Sequence, residues 1–182
     1  MVPQLGFGEA LSLAFSRITD MKGRSRRSEF WWTYLVVFLG SFILSFIPYL
    51  GTLVSIACLL FMVPLMLRRM HDGGHGNGLV YTYVILNLLV TLLAFVALLT
   101  APSAEDLLTG RYHDSSGITM LVSGGLAIVL TIANWVIWII CVVFWAQDSQ
   151  GPNQYGPSPK YPEGKPQFQQ PQQMYQQPQQ QQ

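Results

Sequence analysis

The stretch LVYTYVILNLLVTLLAFVALL at residues 79–99 contains not one charged side chain, and neither does ITMLVSGGLAIVLTIANWVIWIICVVFWA at 118–146. An α-helix rises 1.5 Å per residue, so about 18 apolar residues cover the roughly 30 Å of hydrocarbon in a bilayer. Both stretches exceed that length. Toward the N-terminus two more apolar runs, 30–50 and 50–67, reach it, again with no charge inside. An unpaired backbone amide in hydrocarbon costs several kcal/mol, and such unbroken runs lack the alternation of a barrel strand, so each is expected to be a helix.

The expected fold is all-α. It is a polytopic membrane protein with four transmembrane helices, at about 30–50, 50–67, 79–99 and 118–146, arranged as two hairpins. Composition agrees: of 182 residues, 51% are hydrophobic and 10% charged, where an ordinary soluble domain carries about a quarter charged. The formal net charge of +1 gives no bulk attraction to nucleic acid. Cys58 and Cys141 each lie inside an apolar run, so they read as small buried apolar groups, not as a disulfide framework or a metal site. A polar, basic stretch precedes the first run and no small-residue cleavage site follows it, so the first span is expected to stay in the mature protein.

Phe7, Leu11, Ala14, Phe15 and Ile18 recur at steps of three and four, which puts them on one face of a short amphipathic helix expected to lie in the headgroup plane. The first two spans are separated by Ile47-Pro48-Tyr49-Leu50-Gly51, a tight uncharged connection. Pro64 should kink the second. Ser41/Ser45, Gly51/Ser55 and Ser123/Ala127 pair small residues four apart and mark helix-packing faces.

Basic residues set the orientation. Arg17, Lys22, Arg24, Arg26 and Arg27 precede the first span, Arg68 and Arg69 lie between the second and third, and Lys160 and Lys165 follow the fourth. Only Arg111 lies on the other side, so both termini and the middle loop are expected in the cytoplasm, with residues 101–117 outside. From 147 to 182 the chain turns to Gln, Pro, Gly and Tyr with no Leu, Ile or Val. Such a segment cannot bury enough surface to offset its ordering entropy, so a disordered cytoplasmic tail is expected. Pro159 and Pro162 give a bare P-x-x-P spacing through which the tail could recruit a partner.

Three polar motifs sit at the cytoplasmic edge: KGRSRRSEFWW at 22–32, RRMHDGGHGNG at 68–78 and GPNQYG at 151–156. Their order resembles the bacterial family called domain of unknown function 805, the YhaH-like inner-membrane proteins, over residues 7–159. Gly23 to Trp31 nearly meet the family's Gly-Arg-x-Ser-Arg-x-Glu-Phe-Trp pattern, with the serine and basic positions shifted by one. Arg68, Arg69, His71 and Asp72 match its Arg-Arg-x-His-Asp element, and Gly151, Pro152, Asn153, Tyr155 and Gly156 its Gly-Pro-Asn-x-Tyr-Gly element. Family members usually continue with Gly-Arg-Ser-Gly-Trp where this chain has Gly74 to Leu79, so a basic group and an interfacial tryptophan are lost. The resemblance implies a place in the bacterial plasma membrane and carries no established activity.

Arg24, Arg26, Arg27, Arg68 and Arg69 are expected at one depth, beside Glu29 and Asp72. Two readings follow. In one they hold the hairpins against the anionic inner leaflet at about 1 kcal/mol each. In the other their guanidinium forks, with Glu29, His71 and Asp72, form a pocket for an anionic lipid headgroup or a small anion. A catalytic His71–Asp72 pair is not expected, because adjacent residues rarely face each other and no nucleophile motif accompanies them. A metal is not expected either: His71, Asp72 and His75 supply at most three ligands, and His113 belongs to the opposite face. The glycines after Asp72 serve to reverse the chain. Asn87 and Asn134, deepest in the spans, are expected to bond between helices. The sequence thus supports a non-enzymatic membrane component without cofactor, with a transporter or channel subunit, or a scaffold acting through its tail, as the alternatives.

Overall fold

The computed structural model describes residues 3–47, 50–110 and 114–164. Pro48 and Tyr49 of the expected tight connection, Arg111, His113, Lys165 and the Gln-rich stretch to residue 182 lie outside the described residues. What is described is all-α, with helices α1 (Phe7–Ser16), α2 (Arg27–Leu44), α3 (Leu50–Asp72), α4 (Gly78–Leu99), α5 (Ala104–Thr109) and α6 (Asp114–Ala146).

Three of these are long and apolar enough to cross a membrane among the described residues, over Gly51–Asp72, Gly78–Leu99 and Gly117–Ala146. The first expected span falls short of that measure for a local reason. Its helix α2 begins at Arg27, carries Glu29 in its first turn and ends at Leu44, before the chain turns. α3 instead runs past its apolar stretch, through Pro64 and on to Asp72, so Arg68, Arg69, His71 and Asp72 are helical.

α4 and α6 pack along each other, α2 packs on α3 and on α1, and α3 touches α4 and α6. Ser123 and Ala127 are buried, and a Cβ on Gly124 would meet Ala97 on α4 at 4.0 Å. The expected small-residue face is therefore real there. Ser41, Ser45 and Ser55 instead face outward and bond carbonyls of their own helices. Gly51 sits at a close approach: a Cβ there would stand 3.1 Å from the Ser45 backbone. Asn134 Oδ1 is enclosed yet accepts no hydrogen bond among the described residues, so the expected interhelical bond is not formed.

The core lies at one end of the bundle. Phe30 of α2, Met62, Met66, Leu67 and Met70 of α3, Val80 of α4, and Cys141 and Trp145 of α6 form one buried cluster, with the Phe30 and Trp145 rings 5.0 Å apart. Toward the other end Phe42, Phe46, Leu53, Leu98 and Leu121 are exposed. Apolar side chains facing outward along these helices suit lipid, which is as apolar as leucine and gives no drive to bury them. α1 tucks Ala10 and Ala14 inward and leaves Phe7 and Phe15 exposed at the edges of Trp32 and Phe61.

Candidate functional site

At the buried end of the bundle, three chain segments converge on Asp72. The carboxylate is fully buried, and α3 ends on the next residues in a left-handed turn at Gly74, φ +75°. The His75 N–H donates to Met70 O and the Gly74 N–H to His71 O, both at 3.0 Å, which closes the helix as a Schellman motif. The expectation that these glycines reverse the chain holds at Gly74. Its surroundings are tight as well, since a Cβ would collide with the Gln150 side chain at 2.3 Å.

Arg69, one turn before Asp72, lies on the same helix face and pairs with Asp72 Oδ2, while Arg24 pairs with Oδ1, its Nε at 3.0 Å and Nη2 at 2.9 Å. Ser149 Oγ donates to Oδ2 as well. Arg24 also donates from Nη1 to the carbonyls of Gly151 (2.8 Å) and Gly156 (3.1 Å), and from Nη2 to those of Gln150 (2.7 Å) and Asp72 (3.1 Å). Arg69 donates to the carbonyls of Trp145 (2.8 Å), Ser25 (3.3 Å) and Gln147. Both guanidiniums thus have every nitrogen engaged, and they convert a loop, the end of α3 and the chain after α6 into one knot.

Residues 147–164, expected to be disordered, are instead laid across this end of the bundle. Ser149, Ser158 and Tyr161 are buried, the Asn153 Nδ2–H donates to His71 O at 2.9 Å, and Tyr155 stacks on the His71 ring at 3.9 Å. The physical reason is that docking here needs no aliphatic side chains. Backbone carbonyls satisfy buried arginines, and charge-assisted bonds are roughly twice as strong as neutral ones.

His71 is similarly committed. Gly23 O can only accept, so the Nδ1 facing it at 3.0 Å carries a proton, and Nε2 lies 2.5 Å from the Asn77 side-chain amide. Its partners are thus Gly23, Asn77 and Tyr155, while the Asp72 carboxylate serves Arg24, Arg69 and Ser149. Arg68, also buried, pairs through Nη2 with Glu29 Oε1 at 3.2 Å. Its Nε and Nη1 meet no acceptor among the described residues, so charge alone holds it.

Arg26 and Arg27 are placed differently. Both are half-exposed and line an open cleft of about 750 Å³ with Pro3, Gln4, Ser28, Trp31, Trp32, Ala146, Ser149 and Lys160. Arg26 has carbonyls for partners, those of Pro3 (2.7 Å) and Pro159. Arg27 and Lys160 share Asp148, at 3.1 and 2.6 Å. Burial by itself would raise the Asp148 carboxyl, but hydrogen bonds from Lys160 and Tyr161 and the charges of Lys160 and Arg27 outweigh it and hold the group at about 2. The cleft is therefore lined by three cations, two of them paired with Asp148, and framed by two tryptophans.

Of the eight residues singled out from the sequence, six (Arg24, Glu29, Arg68, Arg69, His71 and Asp72) are buried and two (Arg26 and Arg27) face the cleft. Sequence reasoning missed Ser149, Asn77, Gln147 and Gln150 as partners, and Lys160 as a cleft residue. One signal was available: the GPNQYG stretch at 151–156 stands apart in composition from the Gln-rich sequence that follows it.

An all-α chain with three bilayer-length apolar helices, tied at one end by buried arginines, is a helical membrane protein. It belongs to the family described as Protein of unknown function (DUF805), which it matches over residues 18–157, most of its length, leaving Phe7-Gly8 outside the match. No curated protein and no solved structure matches the chain.

Proposed function

We propose that this is a four-span protein of the bacterial plasma membrane, with both termini cytoplasmic, that acts without catalysis and holds an anionic, phosphate-type group in the cleft of Arg26, Arg27 and Lys160. The observation that carries the reading is the cleft itself, with surplus positive charge set beside Trp31 and Trp32, the residues that favour a membrane–water interface. α2 serves as the fourth span. Its exposed Phe38, Leu39, Phe42 and Ile43 are suited to lipid, and Arg26 and Arg27 stand at its start, where the positive-inside rule keeps them in the cytoplasm. α1 lies in the headgroup plane, with Phe7 and Phe15 turned to the membrane. The commitment of His71 and Asp72 to other partners supports a non-enzymatic role.

The binding test is retention of dioleoyl phosphatidylglycerol by the purified full chain in native mass spectrometry, compared with dioleoyl phosphatidylcholine. Wild type should prefer the acidic lipid, and Arg26→Gln with Arg27→Gln should lose that preference. Equal retention of both lipids by wild type would sink the reading. Topology is checked separately with Cys58 and Cys141 replaced by alanine: Ser16→Cys, Gly76→Cys and Glu163→Cys should resist an impermeant thiol reagent added to intact cells, and Leu108→Cys should be labelled.

A further inference from the structure

A second concavity adjoins the cleft. It encloses about 430 Å³, is lined by Trp31, Trp32, Tyr34, Leu35 and Phe38, and shares both tryptophans with the basic cleft. Its walls are almost wholly apolar. Trp31 to Phe38 span two turns of α2, about 10 Å along the helix axis. Tyr34 packs edge-on to Trp31 at 5.9 Å and parallel to Phe38 at 6.3 Å, so the slot has a continuous aromatic side. Other outward faces of the helices are apolar, but this one is concave and meets the cation-lined cleft at the two tryptophans.

We infer that cleft and slot together form one site for an acidic glycerophospholipid, whose phosphate sits among Arg26, Arg27 and Lys160 while one acyl chain runs down α2 between Trp32, Leu35 and Phe38. This rests on the reading of the cleft above and narrows it, because a small anion satisfies the cations and leaves the slot unused. Charge complementarity fixes the headgroup as anionic. The apolar slot requires a chain attached to it.

The test uses the full chain in detergent with three probes: dioleoyl phosphatidylglycerol, dioleoyl phosphatidylcholine and glycerol 3-phosphate. Wild type is expected to retain phosphatidylglycerol at least about tenfold better than it binds glycerol 3-phosphate, since each buried methylene adds affinity. Leu35→Trp fills the slot and should cut phosphatidylglycerol retention by about fivefold or more. Val129→Trp, on the exposed face of α6, should leave it unchanged, and the thermal midpoints of both variants without lipid report that they are folded. If Leu35→Trp itself unfolds, Leu35→Ser, which removes apolar wall and adds a hydroxyl, takes its place with the same expected loss. Undiminished retention by a folded slot variant overturns the inference. So does glycerol 3-phosphate binding as tightly as the lipid, although the cleft reading would then stand. If wild type binds neither phosphatidylglycerol nor glycerol 3-phosphate, or retains phosphatidylcholine as well as phosphatidylglycerol, the cleft reading fails along with it.

Discussion

Arg24 and Arg26 stand two residues apart in one motif and meet opposite fates. Arg24 has all its donors engaged by Asp72 and by four backbone carbonyls, whereas Arg26 is bound to two carbonyls at the rim of an open cleft. The same contrast separates Arg69 from Arg27. A guanidinium whose nitrogens are all occupied in a dry site has nothing to offer a ligand, and its worth lies in the segments it joins. One that is half-exposed and under-neutralised keeps charge to spare. Residue type and position in the motif therefore did not distinguish an arginine saturated inside the fold from one left open at the rim; the supply of internal acceptors did.

The largest effect that would break this division is at Asp72. Asp72→Ala leaves Arg24 and Arg69 buried without their carboxylate, and losing one partner of a buried pair costs on the order of 3–5 kcal/mol. A sharply lowered thermal midpoint in detergent, or loss of expression, is expected. An unchanged midpoint would mean the knot is not structural.

Next comes the chain after α6. Truncation after Asp148 removes the Gln150, Gly151 and Gly156 carbonyls that Arg24 needs, and hydrogen bonds to charged groups contribute about 1.5–3 kcal/mol each. With the segment gone water can reach the freed donors and recover part of each bond, so the loss should approach that of Asp72→Ala. Truncation after Gly164 removes none of these contacts and should leave the midpoint within a degree or two, on the order of 0.5 kcal/mol. Equal losses from both cuts would erase the distinction between the docked segment and the Gln-rich stretch.

The cleft should behave the other way round. Arg27→Gln and Lys160→Gln remove exposed or part-exposed ion pairs, which contribute about 0–1 kcal/mol, so the midpoint barely moves while phosphatidylglycerol retention falls. Raising salt should weaken that retention, because exposed charges are screened within about 10 Å at 0.1 M, and should leave the knot untouched.

The smallest effect concerns pH. The Asp148 carboxyl, normally near 3.8, is held at about 2. A depressed carboxyl stabilises the fold above its unfolded value, and that contribution disappears as pH falls from about 4 to about 2. Asp148→Asn should remove that small part of the acid sensitivity. With its side chain 38% exposed, the change should be at the edge of detection by differential scanning fluorimetry.

The helices were legible because an uncharged run of bilayer length has few other structures open to it. The boundaries failed where that signal stops. Nothing in the apolar pattern says that α3 continues to Asp72, because the carbonyls of Trp145 and Gln147 that bind Arg69 and the Arg24 and Ser149 donors that bind Asp72 are far away in sequence. The same blindness produced the expectation of disorder from 147: composition measures aliphatic content, and this segment is held by its backbone. The motifs were found, but their partition into knot and cleft depends on which donors are saturated, which only coordinates show. For α2, the charges that begin the helix at Arg27 also shorten its apolar length, so sequence and structure weigh the same residues differently.

The knot also fixes an order of events. Its acidic centre is residue 72, but four of its acceptors belong to residues 147, 150, 151 and 156. At about 5–20 residues per second of synthesis, roughly 4–17 seconds separate the two. Throughout that interval Arg24 and Arg69 have been made and lack much of their final coordination. The bundle cannot be sealed from its N-terminal half. The last helix and the residues after it must be in place before Arg24 has its full set of acceptors, so closure of this end couples the chain's beginning to its finish.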